Sequence, residues 1–81
     1  MPVDLTILRH TIDVLKAFDG NPMPERTIAV DVELRTGLPL TTQDVTDALN
    51  VAHEKGWAAY TQDQFYRRLW YVTPAGKVAR F

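Results

Sequence analysis

The chain has no cysteine in its 81 residues, which excludes disulfides, thiolate metal sites and a thiol nucleophile. It has no serine either, so only threonine and tyrosine hydroxyls remain as candidate oxygen nucleophiles. No apolar run approaches the roughly 18 residues that a membrane-crossing helix needs. The N-terminal Met-Pro-Val-Asp-Leu has neither a basic leader segment nor a cleavage signal, so the expectation is a cytoplasmic protein with no membrane partner. Charge of one sign is not in excess: nine Lys and Arg against ten Asp and Glu give a net charge of −1. A strongly basic nucleic-acid binder is built differently. Glycine is scarce, and Gly20, Gly37, Gly56 and Gly76 each stand alone, which excludes a glycine-rich phosphate loop.

What is present describes one small domain spanning residues 1–81, without repeats or low-complexity segments. Hydrophobic residues at 46% and charged residues at 23% are ordinary for a globular domain. A chain of this length buries roughly 60–65% of its unfolded surface, enough for a few helices and a small sheet but not for a large cofactor cleft. The charge is unevenly placed. Residues 1–40 carry six acids and four bases, and residues 41–60 carry three acids and one base. Residues 61–81 carry one acid, Asp63, and four bases, Arg67, Arg68, Lys77 and Arg80. Such a local basic feature can hold phosphate on a mildly acidic protein.

Residues 4–18 read as a helix, capped by Asp4 and ended by Gly20. Leu5, Leu8, Ile12 and Leu15 form one stripe, and Ile7, Val14 and Phe18 widen it. That width fits either two core partners or a stripe reserved as a homodimer seam. Asn21-Pro22-Met23-Pro24 reads as a loop. From Pro24 or Glu25 to about residue 36 the pattern is ambiguous. Val30, Val32 and Leu34 alternate with Asp31, Glu33 and Arg35 as a strand would, while Ile28, Val32 and Arg35 keep helical spacing; helix is the favoured reading. After a turn at 36–40, Thr41 or Thr42 caps a third helix that runs to about Lys55 and buries Val45, Ala48, Leu49 and Ala52. Gly56 stops it. A strand starting at Trp57, a polar connection at Gln62-Asp63-Gln64 and a strand from Phe65 to Val72 form a hairpin. Thr73 then caps a last helical turn with Pro74 at its first position.

Two stretches carry a family resemblance. Val45-Thr46-Asp47-Ala48-Leu49-Asn50-Val51-Ala52-His53-Glu54-Lys55-Gly56-Trp57 is similar to the recognition helix of winged helix-turn-helix domains. That helix commonly ends in Glu-Lys-Gly before a large apolar residue that enters the first wing strand. Tyr71-Val72-Thr73-Pro74-Ala75-Gly76-Lys77 is similar to the exit from the wing into a Thr-x-x-Gly turn. The resemblance implies an α+β winged helix-turn-helix fold: three helices, a two-stranded β-hairpin wing and a short C-terminal helical turn. Trp57, Trp70, Val72 and Leu49 are then expected to meet in the core.

The resemblance also implies that the outward face of the third helix enters a DNA major groove. At 100° per residue, Gln43, Asp47, Asn50 and Glu54 share that face, with Thr46 and Val51 on its flanks. Gln43 and Asn50 are residue types that read adenine, and Asp47 can accept from cytosine N4. Asp44, Asp47 and Glu54 repel phosphate, however, so a solvated acidic face or a protein-docking face also fits, the latter helped by an exposed Val51. Arg67 and Arg68, expected on opposite faces of one strand, can touch backbone phosphate or the minor groove; a solvated edge is the plainer reading. Tyr60, Tyr66 and Tyr71 fit hydroxyl contacts, base stacking or sheet packing. Lys77 and Arg80 extend the basic side.

The expected nucleic-acid-contacting set is therefore Thr42, Gln43, Thr46, Asp47, Asn50, Arg67, Arg68 and Lys77. His10 and His53 are isolated from each other and from any acid at ligand spacing, so no metal, cofactor or catalytic role is expected of them. The function this supports is a small DNA-binding transcriptional regulator and not an enzyme. It would bind double-stranded DNA as a homodimer. The alternative is a protein-interaction module that docks through the acidic third helix.

Overall fold

The computed structural model describes residues 4–79. Helix α1 (Leu5–Ala17), strand β1 (Met23–Pro24), helices α2 (Glu25–Thr36) and α3 (Thr42–Glu54), strands β2 (Ala58–Gln62) and β3 (Arg68–Val72), and helix α4 (Pro74–Val78) follow one another along the chain. Each start carries a local cause. The Asp4 carboxylate accepts from the Thr6 amide at 2.7 Å and caps α1. Thr41 and Asp44 form a reciprocal capping box at α3, with Asp44 N–H donating to Thr41 Oγ1 and Thr41 N–H to Asp44 Oδ2. Thr73 Oγ1 accepts from the Gly76 amide at α4. The turn after α2 needs a left-handed residue, which Gly37 supplies at φ 68°.

The sheet differs from the expected two-stranded hairpin. It has three antiparallel strands in the order β1-β3-β2. The stretch read as a loop at 21–24 contributes β1, pairing Met23 with Trp70 and Pro24 with Leu69. Proline tolerates this because β1 is an edge strand, where a missing N–H costs no ladder bond. The wing hairpin also closes later than expected: β2 and β3 pair from Ala58–Val72 to Gln62–Arg68. Phe65, Tyr66 and Arg67 therefore belong to the turn and not to the strand.

The ambiguous segment is helical. Ile28, Ala29 and Val32 face the core, whereas Val30 and Leu34 point to solvent. Apolar residues on both sides of α2 erase the one-sided periodicity by which an amphipathic helix is recognised.

One core holds the elements together. Leu8, Ile12 and Leu15 of α1 pack with Ile28 and Val32 of α2, Val45, Leu49 and Ala52 of α3, and Trp70 and Val72 of β3. Burial on several sides accounts for the width of α1's apolar surface, although Leu5, expected on its stripe, is exposed. Trp70 is fully buried as expected, but Trp57 is only half-buried, with the Lys55 ammonium 5.6 Å from its ring centroid. Val51, expected to be exposed, is half-buried against the core. Gly76 is required at its position. A Cβ there would overlap the Trp57 carbonyl oxygen and lie 2.8 Å from Val72 Cγ2.

Candidate nucleic-acid interface

The capping box anchors the first turn of α3 and presents Thr42 and Gln43 to solvent. One turn on, Gln43 Nε2 donates to Asp47 Oδ1 at 2.8 Å. Asp47, Asn50 and Glu54 continue the exposed face. Thr46 turns away from it toward α2, and its hydroxyl donates to Glu25 Oε2 at 3.0 Å.

Glu25 is the centre of this region. Its Oε1 accepts from Trp70 Nε1 at 2.9 Å and pairs with Arg68 Nη2 at 2.8 Å. Arg68 Nη1 also donates to Asn50 Oδ1 at 3.3 Å. The Arg68 guanidinium carbon lies 5.1 Å from the Trp70 ring centroid and 5.5 Å from that of Tyr60, within cation–π range. Tyr60 and Trp70 stand 4.9 Å apart, with His53 beside both rings and its Nδ1 3.2 Å from the Ala58 carbonyl oxygen. First turn of α2, middle of α3 and strand β3 of the wing are thus joined by one carboxylate. No signal in the chain marked Glu25 for this role, because its partners lie 21 and 45 residues away.

The wing tip is organised separately by Asp63. Its Oδ1 accepts from the backbone amides of Phe65 (2.8 Å) and Arg67 (2.9 Å), and its Oδ2 pairs with Arg67 Nε at 2.9 Å. The Arg67 amide, then that of Phe65 and the Arg67 guanidinium, hold the Asp63 carboxyl below its ordinary value of 3.8 in spite of partial desolvation. Tyr66 takes a left-handed conformation, φ 62°, and is exposed together with Phe65.

The expected residues therefore fall into three places. Thr46, Asn50 and Arg68 meet around Glu25. Thr42, Gln43 and Asp47 lie along the exposed face of α3, and Arg67 is at the wing tip. Lys77 lies on α4, beyond the C-terminal end of β3, with its Nζ 3.8 Å from Asp19 Oδ1. Arg80 lies outside the described residues. Arg67, Arg68 and Lys77 each have a carboxylate partner. Among the described residues no cluster of three or more His, Asp or Glu could hold a metal ion, and no helix is long and apolar enough to cross a membrane.

No family model matches the chain. No curated protein matches it either. Among solved structures, it is similar to the crystal structure of a transcriptional regulator of the MarR family from Silicibacter pomeroyi, with a TM-score of 0.74 and 19% identity. The chain has the winged helix-turn-helix fold. In this winged helix, α2 and α3 with the turn between them form the helix-turn-helix, and β2, β3 and the Asp63 turn form the wing. The match covers 89% of this chain but 44% of the regulator's, so the winged helix corresponds to less than half of that protein.

Proposed function

We propose that this winged helix is a cytoplasmic DNA-binding domain of a small transcriptional regulator, acting as a homodimer without catalytic activity. The observation that carries the reading is the 3.3 Å contact from Arg68 Nη1 to Asn50 Oδ1. It puts the outward face of α3 and the wing on one side of the molecule, where a duplex can meet both. Thr42, Gln43, Asp47 and Asn50 would approach base edges in the major groove, with Thr46 orienting the helix through Glu25. Arg67 would hold backbone phosphate from the wing tip. Lys77, on α4 beyond the C-terminal end of β3, would reach only phosphate further along the duplex.

With few basic groups engaged, binding to random-sequence duplex should be of micromolar order at low salt and should weaken as salt rises. The log–log slope should be shallow, about −1 to −3 for one to three neutralised phosphates. Arg67→Ala should reduce that slope by about 1. Absence of binding at about 20 mM salt, where phosphate attraction is little screened, would sink the reading.

A second reading is favoured by a specific observation: the candidate bases are already paired with carboxylates, while Asp47 and Glu54 stay exposed on α3. In that case the domain docks a protein partner through α3. Asp47→Ala would then weaken partner binding, and Arg67→Ala would leave it unchanged.

A further inference from the structure

The outer face of α2 is apolar and uncovered. Val30 and Leu34 leave the helix on the side away from the core, 53% and 78% exposed, and Leu38 in the following turn is 43% exposed. The Val30–Leu34 ridge is flanked by two hollows. One, of about 530 Å³, lies between the ridge and Leu38–Pro39; the other, of about 450 Å³, lies between it and Phe18 and Arg26. A contiguous apolar surface of this kind on a small domain marks an interaction site more often than chance exposure does.

The charges bordering the ridge indicate what covers it. Asp31 and Arg35 satisfy each other within the helix at 3.8 Å. Arg26 and Glu33 have no ion-pair partner among the described residues. They are seven residues apart, hence about 10 Å along the axis and within about 20° of each other around it. One positive and one negative charge therefore stand at either end of the same edge of the ridge. A uniformly acidic or basic partner would satisfy one of them and repel the other. A second copy laid parallel and in register would set like against like.

We propose that this face is a homodimer seam in which α2 packs antiparallel against α2 of a second copy, across a twofold axis level with the midpoint between Arg26 and Glu33. In that arrangement each Arg26 stands level with the partner's Glu33, and both ion pairs form at once, as a twofold contact requires. The apolar ridge of each copy is covered at the same step. The seam rests on the proposed function for the homodimer alone, and loss of DNA binding without loss of association would leave it standing. A 12-residue helix is only about 18 Å long, so the contact is small and the dimer is of micromolar strength.

Sedimentation equilibrium of the whole chain, from about 10 to 500 µM, tests this across the range where such an association half-saturates. The mass should rise from 9.2 kDa toward that of two chains. Leu34→Glu should stay monomeric throughout with an unchanged far-UV circular dichroism spectrum, since the native side chain is exposed. Arg26→Glu should weaken dimerisation about 10-fold or more, which is about 1.4 kcal/mol. The Arg26→Glu/Glu33→Arg exchange should restore it. A wild-type chain that remains monomeric, a dimer indifferent to Leu34→Glu, or an exchange that fails to recover association each overturns the proposal.

Discussion

At the first residue of β3, Arg68 is gripped by Glu25 and Asn50 and lies over the rings of Tyr60 and Trp70, with its side chain 32% exposed. At the tip, the adjacent Arg67 pairs with Asp63 and is 66% exposed. The two residues are chemically identical and neighbours in sequence. Their surroundings give them different work. The Glu25–Arg68 pair fastens three elements across long sequence separations, and with Asn50 it holds both terminal nitrogens of the guanidinium in place. The Asp63–Arg67 pair is local to one turn, is easily exchanged for solvent or phosphate, and contributes little to holding the domain together. Charge alone does not make a residue a binding residue; what already occupies its hydrogen bonds matters as much.

The largest disruption of this contrast should come from Trp70, over whose ring Arg68 lies. Trp70→Ala removes a fully buried side chain and should cost about 3–5 kcal/mol, a large part of the stability of a domain this size. Urea denaturation should show the midpoint collapse or cooperative unfolding disappear. Glu25 allows a finer cut. Glu25→Ala leaves Trp70 Nε1 and the Arg68 guanidinium without their acceptor and should cost about 2 kcal/mol, partial exposure of the pair limiting the loss. Glu25→Gln keeps an acceptor oxygen for Trp70, turns an amide N–H toward the Thr46 hydroxyl, which then accepts, and loses the charge, at about 1 kcal/mol. Equal losses in the two variants would mean that the ion pair, and not the hydrogen bond to Trp70, makes the joint.

The smallest effect is expected at the tip and is best read by pH. The Asp63 carboxyl is held below 3.8, chiefly by the Arg67 amide. Its contribution is therefore complete above the unfolded value, close to 3.9, and fades as pH falls through the lower folded value. Amide chemical shifts of Phe65 and Arg67 should titrate with a midpoint below 3.8, and Asp63→Asn should abolish that titration. A midpoint at or above 3.8 would mean that the turn is not organised by this carboxylate.

Most of the helical framework was legible along the chain. Asp4, Thr41, Gly37 and Thr73 mark helix ends through local hydrogen bonds or a local backbone conformation, so their signals do not depend on distant residues. The exposed face of α3 was legible for the same reason, since a 3.6-residue repeat orders it. β1 was not. Two residues that include a proline have no strand signature of their own, and Met23–Pro24 is a strand only because Trp70 and Leu69 present a free edge to it. The outward Val30 and Leu34 and the half-burial of Val51 and Trp57 escaped for a related reason. Each depends on which neighbour arrives from elsewhere in the chain.

Local caps, glycine turns and periodic apolar faces, which act within one or two helical turns, specified the helices and the exposed face of α3, while the winged helix-turn-helix fold was implied by the resemblance carried by residues 45–57 and 71–77. The tertiary structure alone decided that Glu25 would be the joint, that Arg68 would be tied down while Arg67 stayed exposed, and that one apolar face would remain uncovered. Those outcomes rest on contacts between residues tens of positions apart, whose directions are set only when the helices and sheet pack into one core.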